Sequence, residues 1–243
     1  MPASAPPQVI EEHAEGGFLF PPLAAEGGAT GGANHSLHTF TVAPAGLPII
    51  EPEMVTDPVP RGGVLRAQYL RSEALDTLEL PADDRLRQAA QRIEQAIQTG
   101  HTAPVKEACE RFLKEAAIFY GVAAPRVRVL AVRPLRVREG GWATELFGDY
   151  DPRAGAIRVW MRTAVRHQVT SFGTLLSTLC HEFCHHLDCV LFGFPDTPHT
   201  RGFYERAAAL YHHARGTPRK RLFWLPLRDG RWRIDWPRTN RGG

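Results

Sequence analysis

Residues 169–193, VTSFGTLLSTLCHEFCHHLDCVLFG, leave the backbone little choice. Leu175, Leu176, Leu179, Phe183, Leu187 and Val190 recur at helical spacing and fall on one side of a helical wheel. Thr174, Ser177, His181, His185 and Asp188 fall on the opposite side. The stretch is expected to be one long helix ending near Gly193. A helix with so broad an apolar back must pack on other elements, with its narrow polar stripe turned toward a site.

The stripe holds His181-Glu182-Phe183-Cys184-His185, an HExxH pattern. Histidines four apart lie one above the other on a helix. Both imidazoles can then reach one ion, at about 2.0–2.1 Å for zinc to nitrogen. Glu182 follows about 100° further round. It can lean beside the metal without ligating it, take a proton from water and return it to a leaving amine. Catalytic zinc takes three protein ligands, so a third is required. The HExxHxxGxxH arrangement is excluded, because position 188 is Asp and position 191 is Leu. His199, after a loop that can swing it back, and Glu205, on the following helix, are the candidates; His199 is preferred. Asp188 is expected either to orient an imidazole from behind or to face solvent.

The rest of the chain supplies a scaffold. Residues 83–100 and 104–121 have helical periodicity and end in glycine. The runs 126–132, 142–151 and 156–161 read as strands, and 199–215 as a helix. LFWLPL and RWRIDW flank an Asp-Gly turn, a hairpin signal. The order predicts an α+β domain over 64–236, with a small mixed sheet packed on the motif helix, helices before it and a β-hairpin after it. Residues 1–63, rich in Pro, Gly and Ala, are expected to be a disordered acidic extension, and 237–243 a basic tail.

Charge is uneven. Residues 1–63 carry seven acids and one base, and residues 215–243 nine bases and two acids. Trp224, Trp232 and Trp236 alternate with Arg231, Arg233 and Arg238, which admits a nucleic-acid partner through this segment or simply a hairpin covering a core. No apolar run approaches the roughly 18 residues of a membrane span. The N-terminus has neither the basic start nor the apolar core of a secretory signal, which points to the cytoplasm. Cys109, Cys180, Cys184 and Cys189 contain no CxxC pair and are expected to be reduced, packed thiols. His186 is expected to be a hydrogen-bonded core histidine. His212 and His213 are expected to be cationic caps of their helix, and His13, His35 and His38 to be without specific role. Tyr204 and Tyr211 are expected to pack, although either could donate to an oxyanion.

The stretch HEFCHHLDCVLFGFPDTPHTRGFYERAAALY resembles the SprT-like zinc peptidases, which pair HExxH with a later His opening a helix and an aromatic four residues on. His199 and Phe203 match that step, and YDPRAGAIRVWM is similar to the strand that precedes the active-site helix. The resemblance spans roughly residues 125–215. It implies a zincin-like fold, zinc held by His181, His185 and His199, Glu182 as base, and a protein or peptide substrate bound by strand addition along that preceding strand, at the edge of the sheet. The chain departs from the family pattern in having Thr200 after His199, with Gly at 202, and in lacking a C-terminal Cys-based zinc ribbon.

Overall fold

A computed structural model of the chain describes residues 41–42, 48–49, 54–138 and 142–242. Two antiparallel helices, α2 (Arg85–Ile97) and α3 (Thr102–Tyr120), form where the periodicity lies. Leu86, Ala89, Ala90, Ile93 and Ile97 make a continuous buried stripe against Val105, Cys109, Phe112, Leu113 and Ala116. Gly121 stops α3 in the left-handed conformation at φ 64°, which glycine adopts without a Cβ penalty.

Strand β3 (Arg126–Val132) alternates, burying Val127 and Val129. It pairs in parallel with β7 (Ala156–Arg162), and β6 (Gly148–Asp151) pairs antiparallel with the other side of β7. The strand expected at the edge, β7, is thus central in the order β3-β7-β6, and β6 is the edge strand. The single strand expected over 142–151 is two, β5 (Trp142–Glu145) and β6. A second small sheet has the order β1-β2-β5-β4, from Thr41–Val42, Pro48–Ile49, β5 and Leu135–Arg138. Arg133 ties the sheets together: it is buried, donates to Glu145 (2.9 Å) and Thr170 (2.7 Å), and lies over the Phe147 ring.

Helix α4 (Phe172–Leu187) carries the motif. Its N-cap, Ser171, accepts from the backbone N–H of Thr174. The helix packs on β6 and β7 and is buried on every side from Gly173 to Leu187. It continues as a π-helical turn, Asp188–Phe192, and ends at Gly193. The wider π turn changes the angular register. Val190, expected on the apolar back, is 51% exposed, with Leu191 beside it at 44%. Helix α5 (Arg201–Arg215) crosses α4, capped by Thr200 through the N–H of Phe203.

Helix α1 (Gly63–Ala74) precedes the first periodic stretch. Its sequence has no apolar stripe; only Tyr69 and Ser72 are buried, and Val64, Leu65 and Leu70 are exposed. The C-terminal end of α1 sits against Gly202 of α5. A Cβ there would lie 2.2 Å from the Ser72 carbonyl oxygen and 2.7 Å from that of Leu75, so only glycine permits the approach.

The C-terminal hairpin forms as β8 (Trp224–Pro226) and β9 (Trp232–Ile234). Residues 54–57, expected within the extension, run beside it: Val55 bridges Arg233 and Thr56 donates to the Trp232 carbonyl. The rest of the expected extension, with His13, His35 and His38, lies outside the described residues apart from β1, β2 and 54–63. The boundary expected at 236–237 falls inside a short helix, α6 (Trp236–Arg241), whose buried Thr239 accepts from the N–H of Phe223. Among the described residues no helix is long and apolar enough to cross a membrane. The mixed α+β architecture is as expected.

Candidate metal centre

Helical spacing stacks His181 and His185 on one face of α4. The loop between the π turn and α5 folds back to bring His199 onto them. The three Nε2 atoms form a triangle with every side 3.1 Å. Phe203 is its floor, with ring centroids 4.9, 4.4 and 5.2 Å from those of His181, His185 and His199.

Burial holds His181 and His185 well below the ordinary histidine pKa, and neighbouring imidazoles add to the effect. Both are therefore neutral, the ligating form. The tautomer of His185 follows from its neighbours. Asp188 is paired with Arg206 and accepts from Thr197 Oγ1 (3.2 Å), so Thr197 in turn accepts from Nδ1 of His185 (2.7 Å). That leaves the Nε2 lone pair of His185 aimed at the other two rings. Three neutral imidazoles meeting at Nε2 cannot all be satisfied by N–H···N bonds among themselves, whereas a cation among them would be ligated by all three. Two nitrogens on a tetrahedral ion at about 2.0–2.1 Å are about 3.3–3.4 Å apart. The observed triangle is within a few tenths of an ångström of that, so the residues fit a metal ion.

Each imidazole is held differently. Behind His185 stands the relay Thr197–Asp188–Arg206. Asp188 and Arg206 are fully buried, with Arg206 Nη2 2.7 Å from Asp188 Oδ1. Burial pushes the Asp188 carboxyl up to about 6, against the pull of Arg206 and Thr197. Of the two roles expected for Asp188, the structure supports orientation of an imidazole rather than a solvent-facing acid. Arg206 also donates to the carbonyls of Ser72 and Leu75, fastening the end of α1. Behind His199 stands Asp57. Its Oδ2 accepts from the His199 backbone N–H (2.8 Å) and lies 3.5 Å from Nδ1, while its own N–H donates to the His199 carbonyl (2.8 Å). Burial raises the Asp57 carboxyl, but hydrogen bonds and charge from His199 outweigh it, and the group sits below the usual range. The buried Nδ1 of His181 has no hydrogen-bond partner among the described residues.

Glu182 is buried between α4 and the edge strand. At Gly148 of β6 a Cβ would stand 3.0 Å from Glu182 Oε1 and 2.5 Å from Thr178 Cγ2, so a bare backbone passes over the carboxylate. Burial, then the charge of Asp149, holds Glu182 well above the usual carboxylate range. A cation at the histidines would oppose that shift.

Glu205 is not in the cluster; it is ion-paired with Arg219 (2.9 Å), as suits an acid on the outer side of α5. His186 is the core histidine expected. Its Nε2–H donates to the Ala123 carbonyl (2.8 Å), so Nδ1 accepts from the Tyr150 hydroxyl (2.9 Å), joining β6 to α4. Tyr204 donates to the Val55 carbonyl (3.1 Å) and Tyr211 accepts from Arg215 (3.0 Å), which supports packing roles. His212 is a correction: burial, aided by Lys220, Arg215 and Arg219, lowers it to about 4, so it is neutral and is no cationic cap. His213 is lowered as well, mainly by burial. Trp224 and Trp236 pack on the core, and Trp232 lies against Arg201. Cys109, Cys180 and Cys184 are buried free thiols, pushed up by desolvation, and Cys189 is a partly buried one.

Sequence reasoning missed Asp57, Thr197 and Arg206. For Arg206 a signal exists: it lies three residues from Phe203 and four from Leu210, on the apolar face of α5. A cation at a core position demands a buried anion. For Asp57, in the Pro-rich TDPVP, no local pattern exists. No family model, no curated protein and no solved structure matches this chain, so the histidine geometry stands on its own.

Proposed function

We propose that the chain is a zinc-dependent metallopeptidase of the SprT-like kind, hydrolysing peptide bonds with Glu182 as general base. One observation carries the reading: three mutually facing Nε2 atoms 3.1 Å apart, two of them from a His-Glu-x-x-His turn whose glutamate is buried. Zinc held by His181, His185 and His199 would supply Lewis acidity, polarising the scissile carbonyl and lowering the pKa of water toward about 7. Glu182 accepts a proton as water oxygen bonds to the carbonyl carbon. It then delivers that proton to the departing nitrogen as the C–N bond breaks. A carboxylate whose proton affinity is raised by burial and lowered again by a nearby cation suits this shuttle. Strand β6 supports a peptide substrate: it is an edge strand crossing directly over Glu182, and no described strand pairs with its outer side.

The test is metal content and turnover of the full chain. The parent should hold about one zinc per chain and cleave an unfolded protein such as denatured casein. Glu182→Gln should keep the zinc and lose about 100-fold or more of the rate, and His185→Ala should lose the zinc. A parent without metal, or a Gln variant cleaving within a few-fold of the parent, overturns the proposal.

A further inference from the structure

Two of the three imidazoles are backed by carboxylates that come from different parts of the chain. For His185 the support arises within the motif region, through Thr197 and Asp188. For His199 it arises 142 positions earlier, at Asp57. The segment bearing Asp57 is anchored independently of the histidines. Val55 bridges Arg233, Thr56 exchanges hydrogen bonds with Trp232, Tyr69 donates to the Asp57 carbonyl (3.1 Å), and Tyr204 donates to that of Val55 (3.1 Å). Thr56 is buried, and the strap therefore has a fixed place from which to act.

His199 needs such help more than its partners do. His181 and His185 are held by a rigid helix and are buried; His199 lies in the loop before α5 and is one-third exposed. Its ring is steered by stacking on Tyr204, centroids 5.7 Å apart, which fixes the plane but not the tautomer or the depth of the loop. Asp57 supplies both. The Asp57 N–H donates to the His199 carbonyl and its Oδ2 accepts from the His199 N–H, which holds the loop at residue 199, and the same Oδ2 faces Nδ1 at 3.5 Å. A carboxylate at Nδ1 favours the Nδ1–H tautomer and leaves Nε2 free to ligate.

We propose that Asp57, on an N-terminal strap, is a positioning residue for the metal ligand His199, so that metal affinity depends on a residue far outside the motif region. This rests on the metal-binding reading of the three histidines, not on any peptidase activity. Asp57→Asn is the discriminating variant: it keeps the size and an acceptor for the backbone N–H but removes the negative charge facing Nδ1.

The experiment measures zinc affinity of the full-length parent, Asp57→Asn, Asp57→Ala and His185→Ala by competition with a chromophoric chelator. Thermal unfolding of each metal-free protein is measured in parallel. Loss of a group supporting a ligand weakens binding about 10–100-fold. Asp57→Asn should fall at the low end of that range and Asp57→Ala at the high end. Metal-free Asp57→Asn should unfold within a degree or two of the parent, which a merely structural role for the carboxylate would not combine with weaker metal binding. Asp57→Asn binding zinc within twofold of a parent that does bind overturns this inference alone. A parent that binds no zinc overturns the metal reading with it.

Discussion

Removing the carboxylate of Asp188 tests the polar core behind the histidine cluster without any metal present. Asp188 and Arg206 are both fully buried and 2.7 Å apart. At an effective dielectric of about 20, that separation corresponds to an attraction of about 6 kcal/mol. Desolvating each ion costs several kcal/mol, so the intact pair contributes little net stability. Deleting one partner leaves the other's desolvation uncompensated. Asp188→Ala should therefore destabilise the metal-free chain by about 3–5 kcal/mol. Against a total stability of about 5–15 kcal/mol, that is a large fraction. The effect should change sign with background. In Arg206→Met, Asp188 is itself an unpaired buried carboxylate, and removing it should be neutral or stabilising. Arg206→Met alone also strands the Ser72 and Leu75 carbonyls, at about 1–3 kcal/mol each. Urea unfolding in EDTA measures all four proteins of the cycle. A cost below about 1 kcal/mol for Asp188→Ala, or equal costs in both backgrounds, refutes the reasoning.

Gly202→Ala should destabilise the chain by about 1–3 kcal/mol or more, because the new methyl meets three backbone carbonyls of α1, those of Ser72, Glu73 and Leu75; an unchanged urea midpoint would contradict the contact. Gly148→Ala drives a methyl toward Thr178 and Glu182, so under the proposed function it should lower peptidase activity while leaving zinc content at the parent's level, measured by metal analysis. His212 holds its proton less tightly folded (about 4) than unfolded (6.5). Between these values the unfolded chain binds more protons, so stability falls as pH drops from 6.5 toward 4, by up to about 3 kcal/mol from this group. His212→Gln should flatten that part of a urea-unfolding pH profile; identical slopes for parent and variant would contradict the assignment.

Much of the site was legible because its first elements are local. The 3.6-residue repeat forces His181 and His185 onto one face, and the period of 126–132 and 156–161 marks strands wherever it occurs. Phe203, four residues beyond His199, marked the start of α5, and its ring floors the cluster. Helix α1 was not legible: without an apolar stripe it is held by Ser72, by Arg206 and by backbone packed on Gly202.

By itself the sequence determined the motif helix, its polar stripe, the histidine pair and the α+β order, since these follow from spacing along one backbone. Tertiary structure alone decided that Glu205 pairs with Arg219, that β6 is the edge strand over Glu182, and that Val190 is exposed. It also decided that Asp57 reaches His199 across 142 positions. Those outcomes depend on which surfaces dock, and docking is set by the summed burial of distant residues, for which no local period exists.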